Sequence, residues 1–261
     1  MKPFVEWFGF KIDSYLLMMI LGVLLSLAVV LLKNQLKKKD DQVSWKDICF
    51  LAIFVFVGAL IGARILYFIT RIKDIKSFDD VIKFLLTEGG LVFYGGVIGG
   101  VGFGILYLKI YKIKIPKFVQ LIVPVIPLGH ALGRVGCYLA GCCYGRLTDA
   151  EHGVHFITMP EGTYHIPVQL YEAIFLFVLF IILLVVEIVT KNKKYYLTTG
   201  LYFVLYAIWR FIIEFYRGDE IRGIALLSTS QWISLIMLFV GIFVIFGNIE
   251  KIKIFNTERE N

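Results

Sequence analysis

The sequence contains little charge and no long polar segment. Of its 261 residues, 18% are charged and 59% are hydrophobic, and the mean hydropathy is +0.80. Soluble domains are only about 45–50% apolar and about 25% charged, so this composition excludes an ordinary soluble protein. The longest connection between apolar runs, roughly Leu139 to Val168, is too short to form its own core. We therefore expect an all-α polytopic membrane protein whose residues 1–261 form a single transmembrane domain.

The chain also lacks a visible internal repeat, a C-x-x-C pair and any abundance of histidine. Many transporters are built from repeats, so the first absence weighs against transport. We expect no metal, because there is no C-x-x-C pair and a structural zinc site needs four N or S ligands. The four histidines could supply nitrogen ligands, so zinc stays a minor alternative. A disulfide or redox function of the clustered cysteines stays open, but adjacent Cys142 and Cys143 cannot easily pair with each other. The cysteines are Cys49, Cys137, Cys142 and Cys143.

Seven apolar stretches approach the ~20 residues that a helix needs to cross a bilayer. The sixth is short and contains Arg210 and Glu214. The stretches lie at about Ser14 to Leu32, Ile48 to Tyr67, Leu91 to Leu108, Phe118 to Tyr138, Gln169 to Val189, Leu201 to Phe215 and Gln231 to Phe246.

The basic residues of the short connections predict the orientation of these spans. Connections after spans one, three and five, together with the tail, hold 15 Lys and Arg residues, against nine in the other connections. This bias predicts an outside N-terminus and a cytoplasmic C-terminus. It also accounts for the net charge of +7, so nucleic acid need not be invoked as a partner. Residues 73–88 read as an amphipathic helix on the outer surface, and 141–167 as an outward loop.

Ionisable residues at membrane depth are the strongest functional signal. A charge there costs about 2.5 to 3.5 kcal/mol on insertion scales, yet Arg134 ends an apolar run in GHALGRVGCYLAGCCYG and Arg64 lies in VGALIGARILYF. In WRFIIEFYRGD, Arg210, Glu214 and Arg217 are spaced by four and three, which places them on one helical face. An Arg210–Glu214 pair would ease burial of both. Four arginines near one glutamate nevertheless favour an anionic guest such as phosphate, which guanidinium groups bind in bidentate fashion.

Glycines dominate the start of the third span, GGLVFYGGVIGG. Small residues such as Gly95 and Gly96 allow close approach of another helix or of a ligand. Helix packing is the favoured interpretation of the glycines alone. Tyr94 adds a hydroxyl group among them.

Together these motifs resemble the prolipoprotein diacylglyceryl transferase family over nearly the whole chain. GRVGCYLAGCCYG is similar, without gaps, to the family's Gly-Arg-x-Gly-Asn-Phe-x-Asn-x-Glu-x-x-Gly in its arginine and all its glycines. GGLVFYGGVIGG resembles Gly-Gly-x-x-x-His-Gly-Gly-x-x-Gly, IGARILYF a Gly-x-Arg element, QLYEAI part of His-Pro-x-Gln-Leu-Tyr-Glu, and RFIIEFYRGD the Arg-Phe-x-x-Glu-x-x-Arg-x-Asp element. Tyr15 takes the place of the tyrosine in a Trp-Tyr-Gly element. The family also has seven spans with the N-terminus outside.

The resemblance implies transfer of a diacylglyceryl group from phosphatidylglycerol to the lipobox cysteine of a prolipoprotein signal peptide, in the bacterial plasma membrane. It implies that Arg134 and Arg210 hold the phosphate at the outer leaflet, with Glu214 orienting Arg210. Arg64 and Arg217 would shape the same cavity among membrane lipids, and Tyr15, Gly95 and Gly96 would contact substrate. It implies no cofactor or metal.

The chain departs from the family at the residues expected to activate the acceptor. Tyr94 replaces the family's histidine, and Cys137, Ala140 and Cys142 replace two asparagines and a glutamate. If the histidine is the general base, tyrosine is a weaker one at neutral pH, because the phenol of a tyrosine ordinarily has a pKa of about 10. Two alternatives therefore stay open: a related phospholipid-dependent transferase with another acceptor, and a non-enzymatic lipid-binding or thiol-redox membrane protein.

Overall fold

The computed structural model describes residues 3–7, 10–74, 77, 90, 92–190, 195–218, 223–224 and 226–247. It divides into two compact units: Met1–Leu36 with Phe118–Asn261, called the first unit, and Lys37–Lys117, called the second unit. Almost all of the predicted amphipathic helix over 73–88 lies outside the described residues.

The described part of the chain is mostly helical, as its composition predicts. The helices are α1 (Ser14–Gln35), α2 (Trp45–Thr70), α3 (Phe93–Ile110), α4 (Ile115–Ile122), α5 (Ile126–Ala140), α6 (Val168–Val189), α7 (Tyr195–Ile213) and α8 (Thr229–Phe246). Short 3-10 turns cover Lys39–Asp41, Ile72–Asp74, Val123–Val125 and Glu214–Tyr216. Antiparallel pairs join β1 (Phe4–Trp7) to β2 (Phe10–Asp13), β3 (Leu147–Thr148) to β4 (Tyr164–His165), and β5 (Gly223–Ile224) to β6 (Leu227–Ser228).

Seven spans are confirmed within the described residues, judged by helix length and apolarity. The fourth, Ile115–Ala140, consists of α4, the 3-10 turn and α5. The sequence predicted one uninterrupted span here. The break coincides with Pro124 and Pro127, because proline has no N–H to donate and its ring disturbs the preceding turn. The protein is therefore a multi-pass membrane protein.

In the first unit, neighbouring helices pack in the order α1, α5, α6, α7 and α8. Glycine allows a close approach of α1 and α5, since a Cβ on Gly22 of α1 would lie 3.2 Å from the carbonyl oxygen of Gly129 on α5. Gly136, one end of the same seam, lies against Tyr15 and Met18 of α1. The face of α5 that holds Arg134 is thus fixed in relation to both α1 and α6.

An ion pair joins α1 to the C-terminal end of α6 in the first unit. Lys33 Nζ in the last turn of α1 lies 2.7 Å from Glu187 Oε2 and donates a hydrogen bond of 3.0 Å to the carbonyl of Leu121. Both charges are largely buried. Because each has a partner, the cost of burying them is reduced.

In the second unit, α2 and α3 pack through facing glycines. A Cβ on Gly62 or Gly95 would collide with the backbone carbonyl oxygen of the other residue, and one on Gly99 would collide with that of Gly58. On each helix the two glycines are four residues apart, which is the small-xxx-small spacing of close helix contacts in membranes. Gly95 therefore has the packing role that the sequence favoured for these glycines.

Candidate functional site

Arg134 faces a carboxylate on the neighbouring helix. Its Nε atom lies 3.1 Å from Oε2 of Glu172, which follows the first turn of α6. The Glu172 side chain is only 2% exposed. A carboxylate so far from water must be compensated by positive charge or by hydrogen-bond donors.

Glu172 is shared by groups from α5 and α7. Arg210 Nη1 lies 3.9 Å from Oε2, and His130 Nε2 lies 3.8 Å from Oε1. The Tyr206 hydroxyl donates a hydrogen bond of 3.2 Å to Oε1. One buried carboxylate thus holds two arginines that come from different helices.

A second carboxylate, Glu214, holds the other side of Arg210. Its Oε2 lies 2.8 Å from Arg210 Nη2 and 4.0 Å from Arg217 Nε, and its Oε1 accepts a hydrogen bond of 2.9 Å from the Ser228 hydroxyl. Ser228 is also the N-cap of α8, where it forms a capping box with Gln231. The start of α8 therefore fixes Glu214.

We call Arg134, Arg210, Arg217, Glu172 and Glu214 the arginine–glutamate cluster. Among the described residues, Arg134 Nε and Arg210 Nη1 are buried atoms without a hydrogen-bond acceptor, although both lie within ion-pair distance of Glu172. An anion with several oxygen atoms, such as a phosphate diester, would supply these acceptors.

An apolar groove lies on the outer face of α6 and α7 at the same height as this cluster. Its volume is about 300 Å³. Tyr171 and Trp209, which directly precede Glu172 and Arg210, contribute to its walls together with Ile174, Phe175 and Val178. Such a surface suits an acyl chain.

The segment after Arg134 folds back over the end of α5. The Cys142 N–H donates to the Cys137 carbonyl at 3.1 Å and the Gly141 N–H donates to the Tyr138 carbonyl at 3.2 Å, the two bonds of a Schellman motif. Gly141 has φ of 73°, a left-handed conformation that glycine adopts without a steric penalty. The turn returns Cys142 and Cys143 toward Cys137.

The loop is fastened to α6 and to the end of α7. Gln169 Nε2 donates a hydrogen bond of 2.6 Å to the Cys142 carbonyl, and the Thr158 hydroxyl donates one of 2.7 Å to the Gly141 carbonyl. A Cβ on Gly145 would lie 2.6 Å from the Tyr216 carbonyl oxygen and 2.8 Å from that of Ile166, so only glycine fits there. These contacts place the returning thiols beside Arg217.

Cys137, Cys142 and Cys143, which we call the thiol cluster, have all their sulfur atoms within 4.8 Å of one another. None is in a disulfide. The pKa of the Cys143 thiol is held well below its usual value, because the other two thiols act on it as hydrogen-bond donors and because the Arg217 and Arg134 charges favour a thiolate. Tyr15 lies within electrostatic range of all three cysteines and of Arg134.

Four predicted site residues, Arg64, Tyr94, Gly95 and Gly96, belong to the second unit. Arg64 Nη1 donates a hydrogen bond of 3.0 Å to the Gly90 carbonyl, and its guanidinium group lies 5.7 Å from the centre of the Tyr67 ring. Tyr94 is 37% exposed at the start of α3. A Cβ added at Gly96 would make only ordinary contacts with Ala59 and Ala63.

The structure corrects two details of the sequence prediction. The sequence set four arginines against one glutamate, Glu214, whereas a second glutamate, Glu172, reaches Arg134 from α6. Arg217 was expected on one helix with Arg210, but α7 ends at Ile213 and Arg217 follows the 3-10 turn in extended backbone. The predicted Arg210–Glu214 pair is confirmed.

Sequence reasoning missed three contributors: Glu172, Tyr206 and His130. The signal for Glu172 was present, since an acidic residue within an apolar span is by itself a functional hypothesis. His130, an ionisable residue in the fourth span, offered the same kind of signal. Tyr206 did not, because its partner is on another helix.

Comparison with known proteins finds relatives along nearly the whole chain. The sequence profile described as "Prolipoprotein diacylglyceryl transferase" matches residues 3–247. A Clostridium tetani protein named "Phosphatidylglycerol–prolipoprotein diacylglyceryl transferase" is 39% identical over 258 residues, covering 97% of this chain and 99% of the relative. A Clostridium perfringens protein named "Phosphatidylglycerol–prolipoprotein diacylglyceryl transferase 2" is 36% identical, covering 95% and 94%. A Rickettsia rickettsii relative named as such a transferase is 33% identical, covering 90% and 91%. The chain belongs to the prolipoprotein diacylglyceryl transferase family.

Proposed function

We propose that this protein transfers the diacylglyceryl group of phosphatidylglycerol to the lipobox cysteine of a prolipoprotein signal peptide. A thioether forms and glycerol phosphate leaves. The family match and the names of the relatives support the donor and the acceptor class. The observation that carries the proposal is that Arg134 and Arg210 each keep a buried N–H group without a hydrogen-bond acceptor, within ion-pair distance of the same Glu172 oxygen.

The chemistry requires a buried positive site. When the acceptor sulfur attacks the glyceryl carbon, the carbon–oxygen bond breaks and its electron pair moves onto the phosphate oxygen. Fixed guanidinium groups stabilise that growing charge without having to reorganise, as donors in an oxyanion hole do. Glu172 and Glu214 fix the two arginines by opposite charge, so Arg134 and Arg210 are the catalytic groups and the glutamates position them.

The remaining predicted roles complete this proposal. Arg217 and Arg64 contribute to binding the anionic donor, and Tyr94 contributes to acceptor activation. Tyr15 and Gly96 contact substrate. The groove along Tyr171 and Trp209 receives an acyl chain from the surrounding membrane lipids.

The protein lies in the bacterial plasma membrane with its N-terminus outside and its C-terminus in the cytoplasm. The excess of lysine in the connections after the first and third spans supports this orientation. The site then faces the outer leaflet and the loop 141–167 faces outward, where secreted prolipoproteins arrive.

A second candidate is a related transferase that uses the same donor and another acceptor. The observation that favours it is the thiol cluster, since two of its members, Cys137 and Cys142, occupy positions where the family has asparagine and glutamate. Acceptor activation is the part of the chemistry that such a change would alter.

Purified full-length protein in phosphatidylglycerol vesicles, incubated with a lipobox peptide, tests both candidates. We expect mass spectrometry to find the peptide heavier by one diacylglyceryl group. A peptide with serine in place of the lipobox cysteine and vesicles of phosphatidylethanolamine are the controls, and both should give no product. Absence of product from the cysteine peptide would contradict the proposal, and modification of the serine peptide would favour the second candidate.

A further inference from the structure

The thiol cluster has the composition and spacing of a metal site. Its three sulfur atoms lie within 4.8 Å of one another. In tetrahedral zinc coordination, bonds of about 2.3 Å place two sulfurs about 3.8 Å apart. We infer that Cys137, Cys142 and Cys143 bind a zinc ion whose fourth ligand is the thiol of the acceptor cysteine. The identity of that fourth ligand rests on the proposed function.

The protein backbone already holds the ligands close to this arrangement. Cys137 is buried in the last turn of α5, and the Schellman turn at Gly141 brings the next two cysteines back to it. Gln169 and Thr158 bind the two carbonyls of that turn. A contraction of about 1 Å between sulfurs reaches the coordination distance.

The number of ligands indicates a reactive site. No other Cys, His, Asp or Glu among the described residues joins the group of three. Structural zinc sites have four protein ligands, whereas catalytic ones have three and leave one position open for water or substrate. Cys142 is exposed, so the open position can be approached from outside the protein.

Zinc would supply what the acceptor thiol lacks. A free cysteine with a pKa of about 8.5 is mostly protonated at pH 7, and only the thiolate is a nucleophile. A thiol that coordinates zinc loses its proton, which passes to water. The sulfur then forms the carbon–sulfur bond as the carbon–oxygen bond breaks, and the electron pair of that bond leaves with glycerol phosphate. The product is a neutral thioether, a weak ligand that dissociates, so no oxidant or reductant is needed.

The arginines near the thiol cluster suit the negative charge of a zinc ion bound by thiolates. Zinc with three thiolates has one net negative charge and a fourth thiolate adds another. Arg217 and Arg134 both act electrostatically on Cys143. Arg134 and Cys137 are three residues apart on α5, which places them on one helical face. The nucleophile and the phosphate would thus lie on two sides of Arg134.

A disulfide is the competing fate of these thiols. It would join Cys137 to Cys142 or Cys143, since adjacent cysteines cannot easily pair. Intact mass of the purified, active protein before and after reduction distinguishes the two. A mass lower by two hydrogens before reduction, with full transfer activity, would overturn the inference.

Metal content gives the first direct test. Protein purified in detergent without chelator should contain about one zinc per chain by mass spectrometry of the metal. Cys137→Ser, Cys142→Ser and Cys143→Ser should each lower it strongly. Cys49→Ser is the matched control, because Cys49 is a free cysteine in α2 of the second unit and should leave the zinc content unchanged. Equal zinc in all variants, or none in the wild type after zinc reconstitution, would overturn the inference.

Cobalt substitution tests the fourth ligand in the wild-type protein and does not depend on how the variants fold. Thiolate–cobalt absorption grows with the number of sulfur ligands, so a lipobox peptide should raise it by about one third. The peptide with serine in place of cysteine should not. An unchanged spectrum with the cysteine peptide would overturn the fourth-ligand assignment.

The pH profile separates this inference from the proposed function. In the wild type, transfer should vary little between pH 7 and 8, whereas in the triple serine variant it should rise about tenfold per pH unit toward the thiol pKa of about 8.5. Transfer that is the same in both proteins would overturn the zinc site and leave the proposed function intact. A cobalt spectrum that responds to the cysteine peptide in a protein that lipidates nothing would contradict the proposed function but support the site.

Discussion

Glu172 Oε2 lies 3.1 Å from Arg134 Nε across the contact between α5 and α6. The same oxygen lies 3.9 Å from Arg210 Nη1 on α7. The carboxylate therefore joins two arginines that come from different helices. This makes Glu172 the residue whose charge is most informative to remove.

Glu172→Gln should lower kcat for transfer by roughly 10²-fold. The amide keeps the shape of the side chain but no longer opposes the arginine charges, so their guanidinium groups lose their orientation. Removing one partner of a buried pair should also lower the free energy of unfolding by about 3–5 kcal/mol.

Glu187→Gln is the matched control for that change. Glu187 is a buried glutamate on the same helix, and it pairs with Lys33 at the other end of α6. It should lose similar stability and keep kcat once the folded fraction is measured. Equal losses of kcat in both variants would show that Glu172 acts only through stability.

Arg134→Lys should lower kcat by roughly 10²-fold while the charge of the site is kept. Lysine presents a point charge and cannot bind two phosphate oxygens in the fixed geometry of a guanidinium group. Arg146→Lys, an exposed position in the following loop, is the control and should transfer at the wild-type rate. Full activity of Arg134→Lys in the vesicle assay would remove Arg134 from the catalytic groups.

Gly141→Ala should impair the site by disturbing the turn that returns Cys142 and Cys143 toward Cys137. Its φ of 73° imposes a cost of roughly 1–2 kcal/mol on an L residue, and the added Cβ would lie 3.3 Å from Thr158, whose hydroxyl holds this turn. We expect lower transfer and weaker thiolate–cobalt absorption.

Gly162→Ala separates backbone strain from the effect on the site. Gly162 has φ of 77°, and no atom lies within 4 Å of an added Cβ. Thermal unfolding should show a similar destabilisation with transfer unchanged. Loss of transfer in both variants would refute a specific role of the Gly141 turn.

Gly99→Ala should destabilise the second unit by about 1–3 kcal/mol, because its Cβ would collide with the Gly58 carbonyl oxygen. Gly102→Ala, on the same helix, meets no atom within 4 Å and should be neutral or stabilise by about 0.5–1 kcal/mol. Unfolding temperatures in detergent measure both. If Gly99→Ala were as stable as Gly102→Ala, the packing role of the glycine seam would be wrong.

Much of the fold was predictable because apolar length is a local property. The seven stretches predicted from hydropathy match the seven candidate spans among the described residues, and the Arg210–Glu214 pair follows from a spacing of four. The end of α7 at Ile213 was not predictable in this way, because the 3-10 turn there is held by a loop that is distant in the sequence. For example, the Arg146 N–H donates a hydrogen bond of 2.9 Å to the Tyr216 carbonyl.

The sequence by itself determined that the chain spans a membrane, which family it resembles, and that Arg134 and Arg210 need an anionic partner, since each of these depends on composition or on residues close in the chain. Only the tertiary structure decided that Glu172 joins the two arginines and that the thiols of Cys137, Cys142 and Cys143 meet. The physical reason is that these contacts depend on how α5, α6 and α7 pack and on a left-handed turn at Gly141, and neither is fixed by the local pattern of the sequence.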